Sequence, residues 1–159
     1  MRFLSLALAF FSFWGSNIQN QSISTQQGQL TPDDYAVYSA AINHLYVKDR
    51  IKLIVILDQT KEKQPLDAQF DLKVRYVFEK KDNLDPLLYN PDNKAFSEKY
   101  PDSPGYIRLS EICFNSQLNK AGVMIERYCG LLCAEGIYVK LEKKGGVWVV
   151  VGKEISWQS

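Results

Sequence analysis

The stretch that decides the fold lies near the C-terminus and reads Ile137-Tyr138-Val139-Lys140-Leu141-Glu142-Lys143-Lys144-Gly145-Gly146-Val147-Trp148-Val149-Val150-Val151. In its first half, Ile137, Val139 and Leu141 alternate with more polar neighbours, which is typical of a strand with one face on a core and one in water. Lys144-Gly145-Gly146 is a good hairpin turn. Val147 to Val151 is apolar on both faces, so we expect it to be a central strand.

Two more strand-like runs precede this hairpin, at 106–114 and 121–129, and short turns join them. Together with the runs at 136–143 and 146–151, they have the spacing of an antiparallel meander. The C-terminal half of the chain is therefore predicted to form a sheet.

The N-terminal half starts with a helix signal at Thr31-Pro32-Asp33-Asp34. Thr31 suits the N-cap, Pro32 suits the first helical position, and the two carboxylates face the positive end of the helix. We expect this helix to reach about Val47, because apolar residues recur at spacings of three and four on one side. The β-branched run Ile51 to Leu57 follows it and predicts a short strand buried on both faces.

Residues 67–81 fit two patterns. Phe70 and Val74 share one face of a helix, whereas Leu72 and Tyr76 join them on one face of a strand. The length of the segment favours the helix, and the strand stays open as the alternative.

Four prolines interrupt 82–104, where we expect at most one short helix, at 91–99. The whole pattern predicts a single α+β domain. Its N-terminal helix, with one or two shorter helices, packs on an antiparallel sheet of four to five strands. By analogy alone, this arrangement is cystatin-like or nuclear-transport-factor-like (NTF2-like).

The first residues look like an export signal. Arg2 precedes an apolar run of about a dozen residues, which is too short to span a bilayer. We therefore predict a signal peptide at 1–16, and an uncleaved membrane anchor is the alternative. The polar segment 17–30 is too poor in apolar residues to fold and predicts a flexible leader, which leaves 31–159 as the folded domain. The protein is expected to be periplasmic or secreted.

The overall charge is nearly balanced. The 159-residue chain has 19 basic and 18 acidic residues, and loss of Arg2 with the signal leaves 18 of each. A nucleic-acid-binding protein needs a basic surface that neutralises phosphates, so nucleic acid is not an expected partner.

Three cysteines stand at positions 113, 129 and 133. Cys129 and Cys133 close a small loop that contains Gly130, and in an exported chain this predicts a structural disulfide. The spacing is one residue longer than the C-x-x-C of thiol oxidoreductases. Cys113 is expected to be a buried small apolar residue. His44 is the only histidine, too little for a zinc site or an identifiable general base, so no metal or cofactor is predicted.

Charged residues of the predicted sheet offer one enzymatic alternative. Glu111, Glu126 and Glu135 belong to neighbouring strands or turns and would have to meet in one cleft to act as an acid/base pair. Arg108 and Arg127 offer an anion site, although cross-strand pairing with those glutamates is the simpler interpretation.

Aromatic side chains give the main binding hypothesis. Tyr128, Tyr138, Trp148 and Trp157 are candidates to line a ligand-binding face of the sheet. We take Tyr128, Tyr138, Trp148 and Arg127 as the candidate ligand- or partner-binding residues. The alternative is that aromatic residues are simply common in sheets.

Several segments together resemble a group of small exported bacterial proteins of unknown function: Tyr35–Ala40, Tyr100–Ser110, Phe114-Asn115, Cys129-Gly130-Leu131-Leu132-Cys133, Leu141–Lys144, Trp148 and Trp157. The most specific piece is the C-G-x-L-C loop, followed by a strand that ends in Leu-Glu-Lys and then by a tryptophan. Two positions depart from the group, Cys113 in place of a small residue and Ala134 in place of a frequent glycine. The resemblance implies export and a domain of this type, and it carries over no activity.

These observations favour an exported, non-enzymatic binding or interaction module. An unknown protein or small ligand would be its partner, held between helix and sheet or near the cysteine loop. The alternative is an extracytoplasmic hydrolase-like enzyme that uses acidic residues of the sheet. Contact with a membrane is expected only through an uncleaved signal segment.

Overall fold

The computed structural model describes residues 30–47, 51–58, 70–88, 94–130 and 132–159. The predicted signal peptide 1–16 and the predicted leader, apart from its last residue Leu30, lie outside the described residues.

Three helices and seven strands make up the described part of the chain. In chain order they are α1 (Pro32–Tyr46), β1 (Leu53–Asp58), β2 (Arg75–Lys80), α2 (Lys81–Leu88), α3 (Lys94–Lys99), β3 (Tyr106–Leu109), β4 (Cys113–Phe114), β5 (Lys120–Gly130), β6 (Cys133–Lys144) and β7 (Val147–Gln158). The strands form one sheet in the order β2-β1-β3-β5-β6-β7, with β4 beside β5. The predicted α+β class is confirmed. The prediction of an antiparallel sheet of four to five strands is confirmed only in part: the sheet is mostly antiparallel, but it has seven strands, and β1 pairs in parallel with β2 and β3.

Helix α1 begins as its sequence predicts. The Thr31 backbone N–H donates to Asp34 Oδ2 at 2.7 Å, and the Asp34 N–H donates to Thr31 Oγ1 at 3.2 Å, which forms a capping box. Pro32 occupies the first turn. The apolar side of the helix, including Val37 and Ile42, packs on the sheet.

Strand β1 lies between β2 and β3 and is parallel to both. Ile54 and Ile56 pack in the core under α1, whereas Val55 and Leu57 pack in a second core with residues of α2 and α3. The prediction of a strand buried on both faces is confirmed, because helices cover this half of the sheet on both sides.

The helix favoured for 67–81 is wrong within the described residues. Residues 70–74 are irregular and β2 follows them, so the strand alternative holds. Phe70 is buried, and Tyr76 packs beside it against the core under α1. The decisive interaction is distant in sequence, because β2 pairs with β1 over its whole length.

Strands β5, β6 and β7 form the predicted antiparallel meander, with 11, 12 and 12 residues. Gly145 and Gly146 have φ angles of +57° and +84°, which favour glycine and make the tight turn between β6 and β7. The expectation of a central strand at Val147 to Val151 is wrong for the described part of the chain, where β7 is the last strand at one side of the sheet. Val147, Val149 and Val151 are exposed.

The run predicted at 106–114 is broken into β3 and β4. Leu109, Ile112 and Phe114 pack against the core under α1, so the break shifts the alternation by one residue. Cys113 is therefore exposed and lies opposite Gly122, and the prediction that it is buried is wrong.

Candidate functional site

A cavity of about 310 Å³ lies where the last turn of α1 meets the ends of β5, β6 and β7. Its lining residues come from four elements: Leu45, Tyr46, Arg127, Glu135, Ile137, Lys153, Glu154 and Ile155. The volume is at the lower end of the range of small-molecule sites. The cavity joins an apolar wall to a small set of charged groups.

Arg127 is the central polar group of this cavity. It stands on β5 two residues after the buried Ile125, so its side chain continues the face of the sheet that α1 covers. Its Nη2 lies 2.8 Å from Glu135 Oε1 and forms an ion pair across the β5–β6 pair. Its Nε is buried and has no hydrogen-bond partner among the described residues. A buried donor of this kind is costly unless some group accepts from it.

The other charged residues of the cavity differ in their pairing. Glu154 forms an ion pair with Lys140 at 3.2 Å, whereas Lys153 has no ion pair within the described part of the chain. The lining has two basic and two acidic residues, and Lys153 is the one that lacks an ion pair there. An anionic group of a ligand would offset its charge.

The predicted disulfide stands beside this site. The Sγ atoms of Cys129 and Cys133 are at bonding distance, and their Cα atoms are 5.1 Å apart. Cys129 follows Arg127 by two residues and Cys133 precedes Glu135 by two. The bridge therefore fixes the end of the hairpin that carries the ion pair, at a point where the β5–β6 register is irregular.

Tyr128 lies on the opposite face of the sheet. Its ring stacks on Tyr106 with centroids 5.0 Å apart and contacts Trp157 at 6.2 Å. Arg108 lies over the Tyr128 ring and pairs with Glu126. The expected cross-strand pairing of arginines with glutamates is confirmed for both Arg108 and Arg127.

The remaining aromatic candidates are elsewhere. Tyr138 lies across Gly122 on the face away from α1, and Lys140 lies above its ring. Trp148 is buried under the start of α1, where its Nε1 donates to Asp33 at 3.4 Å and its ring packs on Phe114. The structure therefore does not bring Tyr128, Tyr138, Trp148 and Arg127 into one site.

The acidic candidates also remain apart. Glu126 pairs with Arg108 on the face away from α1, Glu135 pairs with Arg127 in the cavity, and Glu111 is exposed in the loop before β4. His44 is half-buried in the last turn of α1. Over the described ranges, no three His, Cys, Asp or Glu side chains gather as metal ligands.

The sequence analysis identified Arg127 and missed most of the cavity around it. Leu45, Tyr46, Lys153 and Ile155 come from the two ends of the domain, and no local pattern connects them. The apolar stripe of α1 is the one signal that pointed to Leu45 and Tyr46, and it indicated a core rather than a site.

The comparisons with known proteins add no relative. No protein-family model, curated protein or solved structure matches the chain. In the described ranges, every helix is too short or too polar to cross a bilayer.

Proposed function

We propose that the protein is a non-enzymatic binding protein whose ligand is a small organic acid with an apolar body. The ligand occupies the cavity between the end of α1 and strands β5 to β7. Its carboxylate accepts hydrogen bonds from Arg127, and its hydrocarbon part lies against Leu45, Ile137 and Ile155.

The Arg127 side chain carries this proposal, because it lines the cavity, is 30% exposed there and has donors that the described residues do not fully satisfy. The guanidinium has five donors, and Glu135 is paired with only one of its nitrogens, Nη2. A carboxylate oxygen is the strongest acceptor for such a donor, because both partners are charged and the site is partly shielded from water. Water could also accept from Arg127, but it would leave the apolar side chains of the cavity wall in contact with solvent.

The charge and the shape of the cavity support the same ligand class. Lys153 lacks an ion pair among the described residues and adds a second positive charge. The cavity volume suits a chain of several carbon atoms and excludes large ligands. In the described part of the chain, both acidic residues of the lining are held in ion pairs, so binding rather than turnover is the role we infer.

Isothermal titration calorimetry with octanoate tests the proposal, with 1-octanol as the neutral analogue. Octanoate is expected to bind, and Arg127→Met is expected to raise its Kd at least about tenfold, because a charge-assisted hydrogen bond is lost. Lys153→Met is expected to raise the Kd about threefold without disturbing the Arg127–Glu135 pair. Octanol should bind more weakly than octanoate.

Arg108→Met is the matched control. Arg108 also pairs with a glutamate on the neighbouring strand, but on the opposite face of the sheet. It should leave octanoate binding unchanged. Absence of any heat at about 5 mM octanoate, or equal effects of the two arginine substitutions, would contradict the proposal.

We further propose that the protein acts outside the cytoplasm and belongs with the small exported bacterial proteins that it resembles. The apolar start after Arg2 and the Cys129–Cys133 pair support this, since disulfides persist in oxidising compartments. The intact mass of the native protein tests it: export predicts loss of about 16 residues and of two hydrogens for the disulfide.

The finer fold assignment is also a proposal. One helix lying across long antiparallel strands supports a cystatin-like or NTF2-like arrangement, whereas the parallel pairs of β1 lie outside that expectation. An experimental structure compared with both fold types is the test. The assignment carries no function.

A further inference from the structure

Strand β7 forms one edge of the sheet, and its two halves differ. Among the described residues it pairs only with β6. The second half carries Lys153 and Glu154, and charged residues of this kind protect edges against pairing. The first half, Val147 to Val151, has no charge and no proline, and Val147, Val149 and Val151 are 66%, 41% and 48% exposed.

The turn before β7 determines which backbone N–H and C=O groups of this half point to the open edge. Lys144 and Val147 flank a two-residue turn, so they form a hydrogen-bonded pair, and the pairs then alternate along the ladder. Lys143 agrees with this alternation, because its N–H donates to Asn119 on the β5 side instead of to β7. Trp148 lies opposite Lys143, and Val150 is two residues further along β7. Both residues therefore direct their backbone N–H and C=O groups to the open edge.

A second copy of the chain fits this pattern. In an antiparallel pair centred on Val149, Trp148 of each copy lies opposite Val150 of the other, and the free groups of both residues bond to each other. Val149 lies opposite Val149, and Val147 lies opposite Val151, so β-branched side chains meet on the exposed face.

Charge selects this register over its neighbours. A pair centred on Lys153 or Glu154 would place like charges opposite each other, and a pair centred on Val151 would place Lys153 against Val149. Gly146 and Gly152 bound the uncharged overlap on both sides.

We propose that two copies of the protein associate through β7, antiparallel and centred on Val149, to form one continuous sheet across a two-fold axis. The interface is isologous, as in most dimers. Its short overlap makes the dimer weak, so it forms at high protein concentration.

Cysteine trapping tests the register in a Cys113→Ser background, which removes the exposed free thiol. Two Val149 Cα atoms in a non-hydrogen-bonded pair would be about 4.5 Å apart, within reach of a disulfide. V149C is expected to form a covalent dimer with oxidised glutathione. V147C alone should not, because its two copies would be about 13 Å apart, whereas V147C mixed with V151C should cross-link.

Sedimentation equilibrium tests the association without a trap. The unmodified chain should approach twice its monomer mass at about 500 μM, and Val149→Lys should remain folded and monomeric. Leu132→Lys is the matched control, since Leu132 is 89% exposed and lies in the β5–β6 loop. It should dimerise like the unmodified chain.

Two results would overturn the proposal. One is a monomer at that concentration; slow amide exchange at Trp148 and Val150 in such a monomer would show that other residues of the same chain cover the edge. The other is a dimer in which V149C and V147C cross-link equally, which would place the interface elsewhere.

Discussion

Glu79, near the end of β2, is a carboxylate that we expect to stabilise the fold. It accepts hydrogen bonds from the Tyr100 hydroxyl, from Asn83 Nδ2 at 2.6 Å and from Lys99 Nζ at 3.0 Å. The backbone N–H of Lys80 adds a further bond at 3.3 Å. This cluster ties β2 to both α2 and α3.

The pKa of Glu79 gives the magnitude. Burial raises this pKa, but the hydrogen bonds outweigh burial and lower it from 4.5 to about 2. Each pKa unit corresponds to about 1.4 kcal/mol, so the upper limit for the carboxylate is about 3 kcal/mol at neutral pH. The side chain is 17% exposed and that of Lys99 is 46% exposed, so water screens the pair. We therefore expect Glu79→Gln to cost about 1.5 kcal/mol.

The pH dependence gives the sign of the effect. The folded-state pKa is below the unfolded-state value, so the stabilisation is complete above about pH 4.5 and is lost as the pH falls toward about 2. The difference in unfolding free energy between the unmodified protein and Glu79→Gln should shrink over that interval.

Urea denaturation, followed by circular dichroism at several pH values, measures this difference. Glu98→Gln is the control, because Glu98 is 67% exposed and pairs with Lys94 only at 3.7 Å. It should change the unfolding free energy by less than about 0.5 kcal/mol. A Glu79→Gln effect as small as that of the control, or one that is the same at low and neutral pH, would refute the reasoning.

Three further substitutions test the packing of the fold. Gly136→Ala should lower the unfolding free energy by about 1–3 kcal/mol and shift tryptophan fluorescence, because the added Cβ would lie 2.6 Å from Cε2 of Trp157. Gly152→Ala is the control and should change neither quantity, because a Cβ added there has nothing within 4 Å. Equal effects of the two substitutions would count against this packing of Trp157. Replacing both cysteines of the Cys129–Cys133 bridge by serine should lower the unfolding free energy by about 2 kcal/mol for a separation of four residues, and an unchanged urea midpoint would contradict this. Thr31→Ala should lower the unfolding free energy by about 1 kcal/mol in the same assay, because it removes the capping box. An unchanged unfolding free energy would contradict this.

Local signals predicted the elements that depend on local interactions. The start of α1 follows from Thr31 and Pro32, and the turn at Gly145-Gly146 follows from the need for positive φ. The burial of β1 on both faces follows from its continuous β-branched run. Each of these depends on residues that are neighbours in the sequence.

Elements that depend on distant partners were not predicted correctly. Residues 70–80 have both helical and strand periodicity, and only the parallel pairing with β1 decides between them. Val147 to Val151 has the composition of a central strand, yet its position at the edge depends on the absence of a further described strand beside it. Cys113 became exposed because a short break after Leu109 reverses the alternation, and such breaks leave no pattern in one sequence.

The candidate site follows the same division. Arg127 and its pairing with a glutamate were accessible from strand alternation. Lys153 and the last turn of α1 reach the cavity only through the tertiary fold, so the sequence grouped Arg127 with Tyr128, Tyr138 and Trp148 instead. Alternation along β5 already places Arg127 and Tyr128 on opposite faces of the sheet.

The most direct test of the proposed binding site observes the Arg127 side chain itself. In a ¹H–¹⁵N correlation spectrum, the Nε–H signal of Arg127 should move when octanoate is added, because a charged acceptor then binds the exposed part of its guanidinium. The Nε–H signal of Arg108, which already donates to Glu126, should stay in place. An Arg127 signal that does not move while octanoate binds elsewhere, or no binding at all, would contradict the account.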